Sequence, residues 1–304
     1  MKVVLLSGGG GGARFARGLQ DALAPGELTI LGNVGDDLEV LGLHVSPDLD
    51  SLLYTLADLI DEGRGWGRAG ETWNALASAG AWGGEDWFRL GDLDLGLHLV
   101  RTQALLDGSS LSEVTARLVA LVRLDARILP ATDDRLRTHV VTAAGTFAFQ
   151  EWFVARGHRD EVDSVNYEGA EDAQPAPGVL EALSDAEAIL LAPSNPFLSI
   201  GPTLAVGAIR EAIESRQVRC VAVSPLVGGR AVTGPLDRML SRMAGGTAPR
   251  QVTDCYKGLI DALVIDETDA PPVAEVELVV ARTLMRDRHA ARSLAERVLE
   301  VACG

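Results

Sequence analysis

The residues best suited to chemistry fall in short clusters of glycine, aspartate and serine. The first is Ser7-Gly8-Gly9-Gly10-Gly11-Gly12-Ala13-Arg14, which follows the apolar run Val3-Val4-Leu5-Leu6 and leads into Phe15-Ala16-Arg17-Gly18-Leu19. That order predicts strand, glycine loop and helix. Glycines let a backbone turn sharply and approach a ligand, and a new helix aims unpaired N–H groups and its positive dipole end at the loop. Gly9, Gly10, Gly11 and Gly12 are therefore candidates to cradle a phosphate. Gly8, Gly10 and Ala13 also fit the dinucleotide fingerprint, and a tight turn that serves packing alone has the same composition.

A second cluster, Val34-Gly35-Asp36-Asp37, follows the predicted strand Thr29–Leu31. Two carboxylates at the C-terminal edge of a parallel strand lie where open α/β sheets keep their ligands. Asp36 and Asp37 read either as Mg2+ ligands beside a phosphate or as a solvated turn. Asn33 occupies the place where nicotinamide enzymes usually carry a ribose-holding acid, which argues against that class. Ser46-Pro47-Asp48-Leu49-Asp50 then opens a predicted helix, Leu49–Ile60. Asp48 reads as its N-cap, and the helix dipole favours Asp50 in the first turn even without a function. Taken together, the aspartates point to metal-assisted phosphoryl or nucleotidyl transfer. That chemistry asks a protein for positioning and charge neutralisation. Asp36, Asp37 and Asp50 are the expected catalytic group and oxygen ligands for Mg2+, with Asp50 also placed to accept a hydrogen bond from an attacking hydroxyl. Ser194, Asn195 and Ser199, after the apolar run Ile189-Leu190-Leu191, form either a second phosphate-binding turn or a set of helix caps.

The elements that must position these clusters alternate between strand and helix patterns, predicting a three-layer, Rossmann-like α/β fold with a mostly parallel sheet. Expected strands are Val3–Leu6, Thr29–Leu31, Arg127–Ile128, His139–Thr142, Ala188–Leu191, Val218–Val223 and Ala262–Ile265. Residues 48–125 lack strong strand signals and read as a helical insertion over the ligand edge. The chain is then one discontinuous domain, with its core in residues 1–47 and 126–304. Trp66, Trp73, Trp82 and Trp87 fall in the insertion, as core residues or as a stacking surface. Val162–Gly178 reads as a surface excursion, and Asp287–Val301 as an amphipathic helix for packing or subunit contact.

Composition narrows the function classes. A net charge of −16 opposes nucleic-acid binding, which depends on Lys and Arg contacts to phosphate. No segment approaches the ~20 apolar residues of a membrane span, and the opening strand leaves no room for a signal peptide, so a cytoplasmic protein is expected. Cys220, Cys255 and Cys303 suit neither a disulfide framework nor a zinc site, and the histidines lack metal-ligand spacing.

The glycine loop, Asn33-Val34-Gly35-Asp36-Asp37, Ser46-Pro47-Asp48-Leu49-Asp50 and Leu90-Gly91-Asp92-Leu93-Asp94 together resemble the 2-phospho-L-lactate transferase family, the CofD or FbiA proteins of coenzyme F-420 biosynthesis. The resemblance continues through Leu129-Pro130-Ala131-Thr132-Asp133-Asp134, Ala192-Pro193-Ser194-Asn195-Pro196 and Val223-Ser224-Pro225-Leu226-Val227-Gly228-Gly229. The segments Arg64-Gly65-Trp66-Gly67 and Glu71-Thr72-Trp73-Asn74 look like the bacterial, phosphoenolpyruvyl-transferring branch. The resemblance implies attack by the ribityl hydroxyl of the deazaflavin Fo on the distal phosphorus of a guanosine diphosphate conjugate of phosphoenolpyruvate or phospholactate. GMP leaves and Mg2+ assists. It places Asp50 and Arg89 on Fo. Ser224, at the end of the predicted strand Val218–Val223, is a candidate contact for the guanosine portion, and a homodimer is expected. The nearest alternative is a nucleotide-sugar-binding regulator of the YvcK type, without transfer activity. Those proteins carry a glycine- and serine-rich run where this chain has Leu38-Glu39-Val40-Leu41-Gly42.

Overall fold

Runs of consecutive apolar residues bury both faces of a strand, a pattern that belongs inside a parallel sheet covered by helices. In the computed structural model, which describes residues 1–269 and 276–304, β1 (Val3–Ser7) opens with such a run, Val3-Val4-Leu5-Leu6, and both β1 and β2 (Leu28–Gly32) are buried at every position. A short hairpin follows, β3 (Leu38–Val40) with β4 (Leu43–Val45), and then β5 (Arg127–Pro130). An antiparallel trio comprises β6 (Arg137–Thr142), β7 (Gly145–Ala148) and β8 (Val162–Glu168). The chain returns to the main sheet with β9 (Ala188–Leu191) and β10 (Cys220–Val223). After the small ribbon β11 (Leu226–Val227) and β12 (Arg230–Ala231), β13 (Ala262–Asp266) and β14 (Glu277–Ala281) complete it.

The main sheet has the order β14-β13-β10-β9-β1-β2-β5, and every pairing in it is parallel. From β1 the chain first builds outward through β2 to β5 and then returns to the other side of β1 at β9. The reversal opens a crevice at the carboxyl ends of β1 and β9, the place where such sheets bind ligands. Pro130 can end β5 because that strand is the sheet's edge. The fold is thus the three-layer, Rossmann-like α/β architecture expected.

Helix α1 (Gly9–Ala22) follows β1, and α2 (Pro47–Leu56) packs beside it. Gly32 lets α2 lie close on β2, since a Cβ there would lie 2.4 Å from Leu49 Cδ2. Then come α3 (Asn74–Ala81), α4 (Asp92–Leu106) and α5 (Leu111–Leu121) before β5. Asp133, just past β5, accepts hydrogen bonds from the Ser112 amide and hydroxyl, each at 2.7 Å, and so ties α5 to the sheet edge.

Two expectations need correction. His139–Thr142 is a strand, but it pairs antiparallel with β7 and β8 outside the main sheet. Val162–Gly178 is not simply an excursion, because its first half is β8.

Candidate active site

The loops after β1 and β9 meet so closely that only small residues fit between them. Ser194 Oγ donates to the Gly8 carbonyl at 2.7 Å. A Cβ on Gly11 would lie 2.9 Å from the Pro193 carbonyl, and one on Gly12 would lie 2.4 Å from Ser7 Oγ and 2.7 Å from Ser194 Oγ. Gly9, Gly10 and Gly11 line a cleft of about 950 Å3, whereas Gly12 is buried outside it and serves packing. The first N–H groups of a helix have no intrahelical acceptor. The Gly9 amide donates to Asp48 Oδ1 at 2.7 Å, which leaves Gly10 and Gly11 to offer amides to an anion.

Asp48 is therefore not a cap of its own helix. From the first turn of α2 its carboxylate reaches the glycine loop and also accepts from Asn33 Nδ2 at 2.8 Å. A side chain on Gly8 would place Cβ 2.6 Å from Asp48 Oδ2, so the glycine is needed for this approach. Burial pushes the Asp48 carboxyl up to about 6, with the charges of Asp37 and Asp50 adding to the effect and the Gly9 and Asn33 donors opposing it. Asp36 is also buried and lines the cleft. Its carboxyl is raised well above the ordinary range, first by burial and then by the charge of Asp48. Asp36 Oδ1 has no hydrogen-bond partner, and neither Asp36 nor Asp48 has a basic partner among the described residues.

Asp37 and Asp50 are held differently. Asp37 Oδ2 accepts from Ser46 Oγ at 2.9 Å and stands 3.0 Å from His44 Nε2, and Asp37 does not line the cleft. Asp50 lines it, but the buried Arg101 guanidinium grips both its oxygens, with Nη1 donating to Oδ2 at 3.0 Å and Nη2 to Oδ1. Asp36, Asp37 and Asp50 thus do not form one ligand set. Among the described residues no group of three or more His, Cys, Asp or Glu is arranged to hold a metal ion.

Asp94, His98 and Arg101 repeat along α4 at the spacing of one helix face, and all three are buried. His98 Nδ1 lies 3.8 Å from Asp50 Oδ2, and burial lowers the imidazole to about 4, keeping it neutral near pH 7. Burial likewise pushes Asp94 up to about 6, with the charges of Glu71 and Asp50 adding to it and Tyr54 opposing it.

Among residues 64–89, the Trp73 ring has two guanidinium groups near it, Arg89 at 4.6 Å and Arg64 at 5.3 Å from its centre. Arg89 and Trp66 line the cleft there, whereas Trp82 is solvent-exposed. On the opposite side are Ser194, Asn195, Ser199 and Ser224. Asn195 Oδ1 caps the following turn, accepting from the amides of Phe197 and Leu198, and Ser224 Oγ accepts from the Leu226 amide. Ser199 Oγ makes no such bond and lies 3.6 Å from the position of a Cβ on Gly9. The expected phosphate and acceptor residues therefore share one cleft, apart from Gly12 and Asp37. Sequence reasoning missed the reach of Asp48 to the loop and the contributions of Asp94, Arg101 and Tyr54. The spacing of Asp94, His98 and Arg101 was the available signal for an inward polar face.

Comparison with known proteins follows the same outline. A Bacillus halodurans protein of the UPF0052 family superimposes with a TM-score of 0.64 at 17% identity, covering 98% of both chains. Another structure of a Bacillus halodurans protein gives 0.66 at 18%, covering 98% of this chain and 99% of the other. At these identities the likeness shows the fold. The phosphoenolpyruvate transferase of Streptomyces griseus is 42% identical over 313 residues, covering 99% of this chain and 98% of that one. That of Kitasatospora aureofaciens is 43% identical over 314 residues, with the same coverage. That of Mycolicibacterium smegmatis is 39% identical over 323 residues, covering 99% of each. The family description "2-phospho-L-lactate transferase CofD" matches residues 3–302, and with such relatives along its whole length this chain belongs to the 2-phospho-L-lactate transferase family.

Proposed function

We propose that this protein transfers a phosphoenolpyruvyl group, or its 2-phospho-L-lactyl counterpart, from a guanosine diphosphate conjugate to the terminal ribityl hydroxyl of the deazaflavin Fo. The observation that carries this reading is the convergence of the glycine loop, the Asp36–Asp48 pair and Asp50 on one cleft, in a chain aligned end to end with phosphoenolpyruvate transferases. The name of those relatives favours the phosphoenolpyruvyl donor.

In the transfer, the hydroxyl oxygen bonds to the distal phosphorus, the bond from that phosphorus to the bridging oxygen breaks, and GMP leaves with the bridging oxygen. The amides of Gly10 and Gly11 hold the phosphates where the helix end favours negative charge. Asp50, fixed by Arg101, orients the hydroxyl; a carboxylate gripped from one side still has lone pairs to accept another donor. Asp94, pushed up to about 6 by burial, is suited to receive the hydroxyl proton near neutral pH. Asp36 and Asp48 fit Mg2+, being buried oxygen donors without a cation, and this ion commonly takes only one or two carboxylates beside substrate phosphates. When bound there it neutralises charge on the phosphates.

Incubation of the protein with Fo, Mg2+ and each guanosine conjugate, read by mass spectrometry, tests the proposal. The expected products are GMP and a phosphodiester of Fo, formed faster from the phosphoenolpyruvyl donor. Absence of both products with either donor would refute it.

A further inference from the structure

The cleft is lined by Arg14, Arg17, Arg64, Arg89 and Arg286 in a chain of net charge −16. Two of these guanidinium groups have protein partners. Arg17 donates to Glu62 at 2.5 Å, and Arg64 donates to the Arg68 carbonyl at 2.6 Å and pairs with Asp61 at 3.1 Å. Arg89 and Arg286 are exposed to water, and Arg89 lies over Trp73. Arg14 is half-buried, and its side chain has no hydrogen-bond or ion-pair partner among the described residues. A half-buried guanidinium that lines the cleft without a protein partner keeps its donors available to an anion.

Its position indicates which anion it would meet. Arg14 is four residues beyond Gly10 on α1, so it lies on the same helix face, one turn below the glycine offered to the phosphates. Gly65 approaches both residues. A Cβ on Gly65, whose φ is +76°, would lie 3.2 Å from Arg14 Nη2, and a Cβ on Gly10 would lie 3.7 Å from the Gly65 carbonyl. The guanidinium therefore stands on the Gly65 side of the glycine loop, away from the contact of Gly8 with Ser194 and Ser199. The phosphates already have backbone amides and the Asp36–Asp48 pair for a cation. Beyond the phosphate, the phosphoenolpyruvyl and phospholactyl groups share a carboxylate, a planar anion that matches the guanidinium fork.

We propose that Arg14 binds the carboxylate of the transferred group and so selects donors that carry one. This assignment rests on the donor reading above. Calorimetric titration with Mg2+ present would compare two probes, the guanosine diphosphate conjugate of phosphoenolpyruvate and the ethyl ester of GDP on its distal phosphate, which lacks the carboxylate. The unaltered protein should prefer the former by ~10- to 100-fold, the worth of a charge-assisted pair. Arg14→Gln should erase that preference and leave the ethyl ester's affinity unchanged, while Arg14→Lys, keeping the charge but not the fork, should retain part of it. If Arg14→Gln weakens both probes equally, Arg14 is a diphosphate ligand and the proposal is overturned. A preference that survives in Arg14→Gln overturns it as well. Binding of neither probe by the unaltered protein removes the donor reading, and this assignment with it.

Discussion

At the scale of single residues, the site depends on carboxylates kept out of water for different ends. Asp50 has a basic partner in Arg101, whereas Asp36 and Asp48 have none among the described residues. Asp94 stands between these cases, pushed up to about 6 mainly by burial. Its sign of linkage is set by that rise: the folded state favours the protonated form, so ionisation weakens folding as pH climbs through the window from the ordinary carboxylate value near 4 to about 6. Asp94→Asn mimics the neutral form. It should stabilise the ligand-free protein by about 1–3 kcal/mol at pH 7.5, and the gain should fade as pH falls towards 4. Urea unfolding of both proteins across that range measures it, and a gain that grows on acidification would contradict the assignment. Asp48 shows why some of this was hidden in the sequence. An aspartate at a helix start is ordinarily a cap, and only the absence of a side chain on Gly8, far away in the chain, brings its carboxylate to the glycine loop.

At the scale of elements, α4 is a helix that presents Asp94, His98 and Arg101 inward while Leu99, Val100 and Leu106 are exposed. The Arg101–Asp50 pair joins it to α2 across the buried edge of the cleft. Arg101→Met should destabilise the protein by about 3–5 kcal/mol, because it strands a buried carboxylate, and should also abolish transfer. Adding Asp50→Leu should recover much of the stability without the activity. Thermal unfolding and turnover of the single and double variants separate the two effects; a double variant no more stable than the single one would mean that the pair does not carry α4 onto α2. The central strands were legible because unbroken apolar runs such as Ala188–Leu191 admit only a doubly covered position. Strand β6 was legible as a strand and not as a member of its own sheet. Its burial alternates along Arg137–Thr142, while its partner β8 is mostly polar and exposed and gives little hydrophobic signal. Strand β14, at the sheet edge, is only partly buried and went unread although Leu278-Val279-Val280-Ala281 is an apolar run.

At the scale of the whole molecule, strand order does most of the positioning. The reversal between β1 and β9 brings the glycine loop against Ser194 and Ser199, so residues nearly two hundred positions apart share one cleft. The glycine loop and the alternation of strands and helices made this arrangement readable in advance, but not the register that excludes Asp37 and Gly12 from the cleft. Net charge is acidic overall, and the cleft itself brings arginines, among them Arg14 and Arg89, together with carboxylates such as Asp36, Asp48 and Asp50. No helix among the described residues is long and apolar enough to cross a membrane. The most direct test of the account is a crystal structure with GDP and Mn2+, using the anomalous signal of Mn2+ to locate the ion. The account predicts the diphosphate on the amides of Gly10 and Gly11 and the ion bound by Asp36 and Asp48. An ion held by Asp37 and Asp50 instead, or GDP bound outside this cleft, would contradict it.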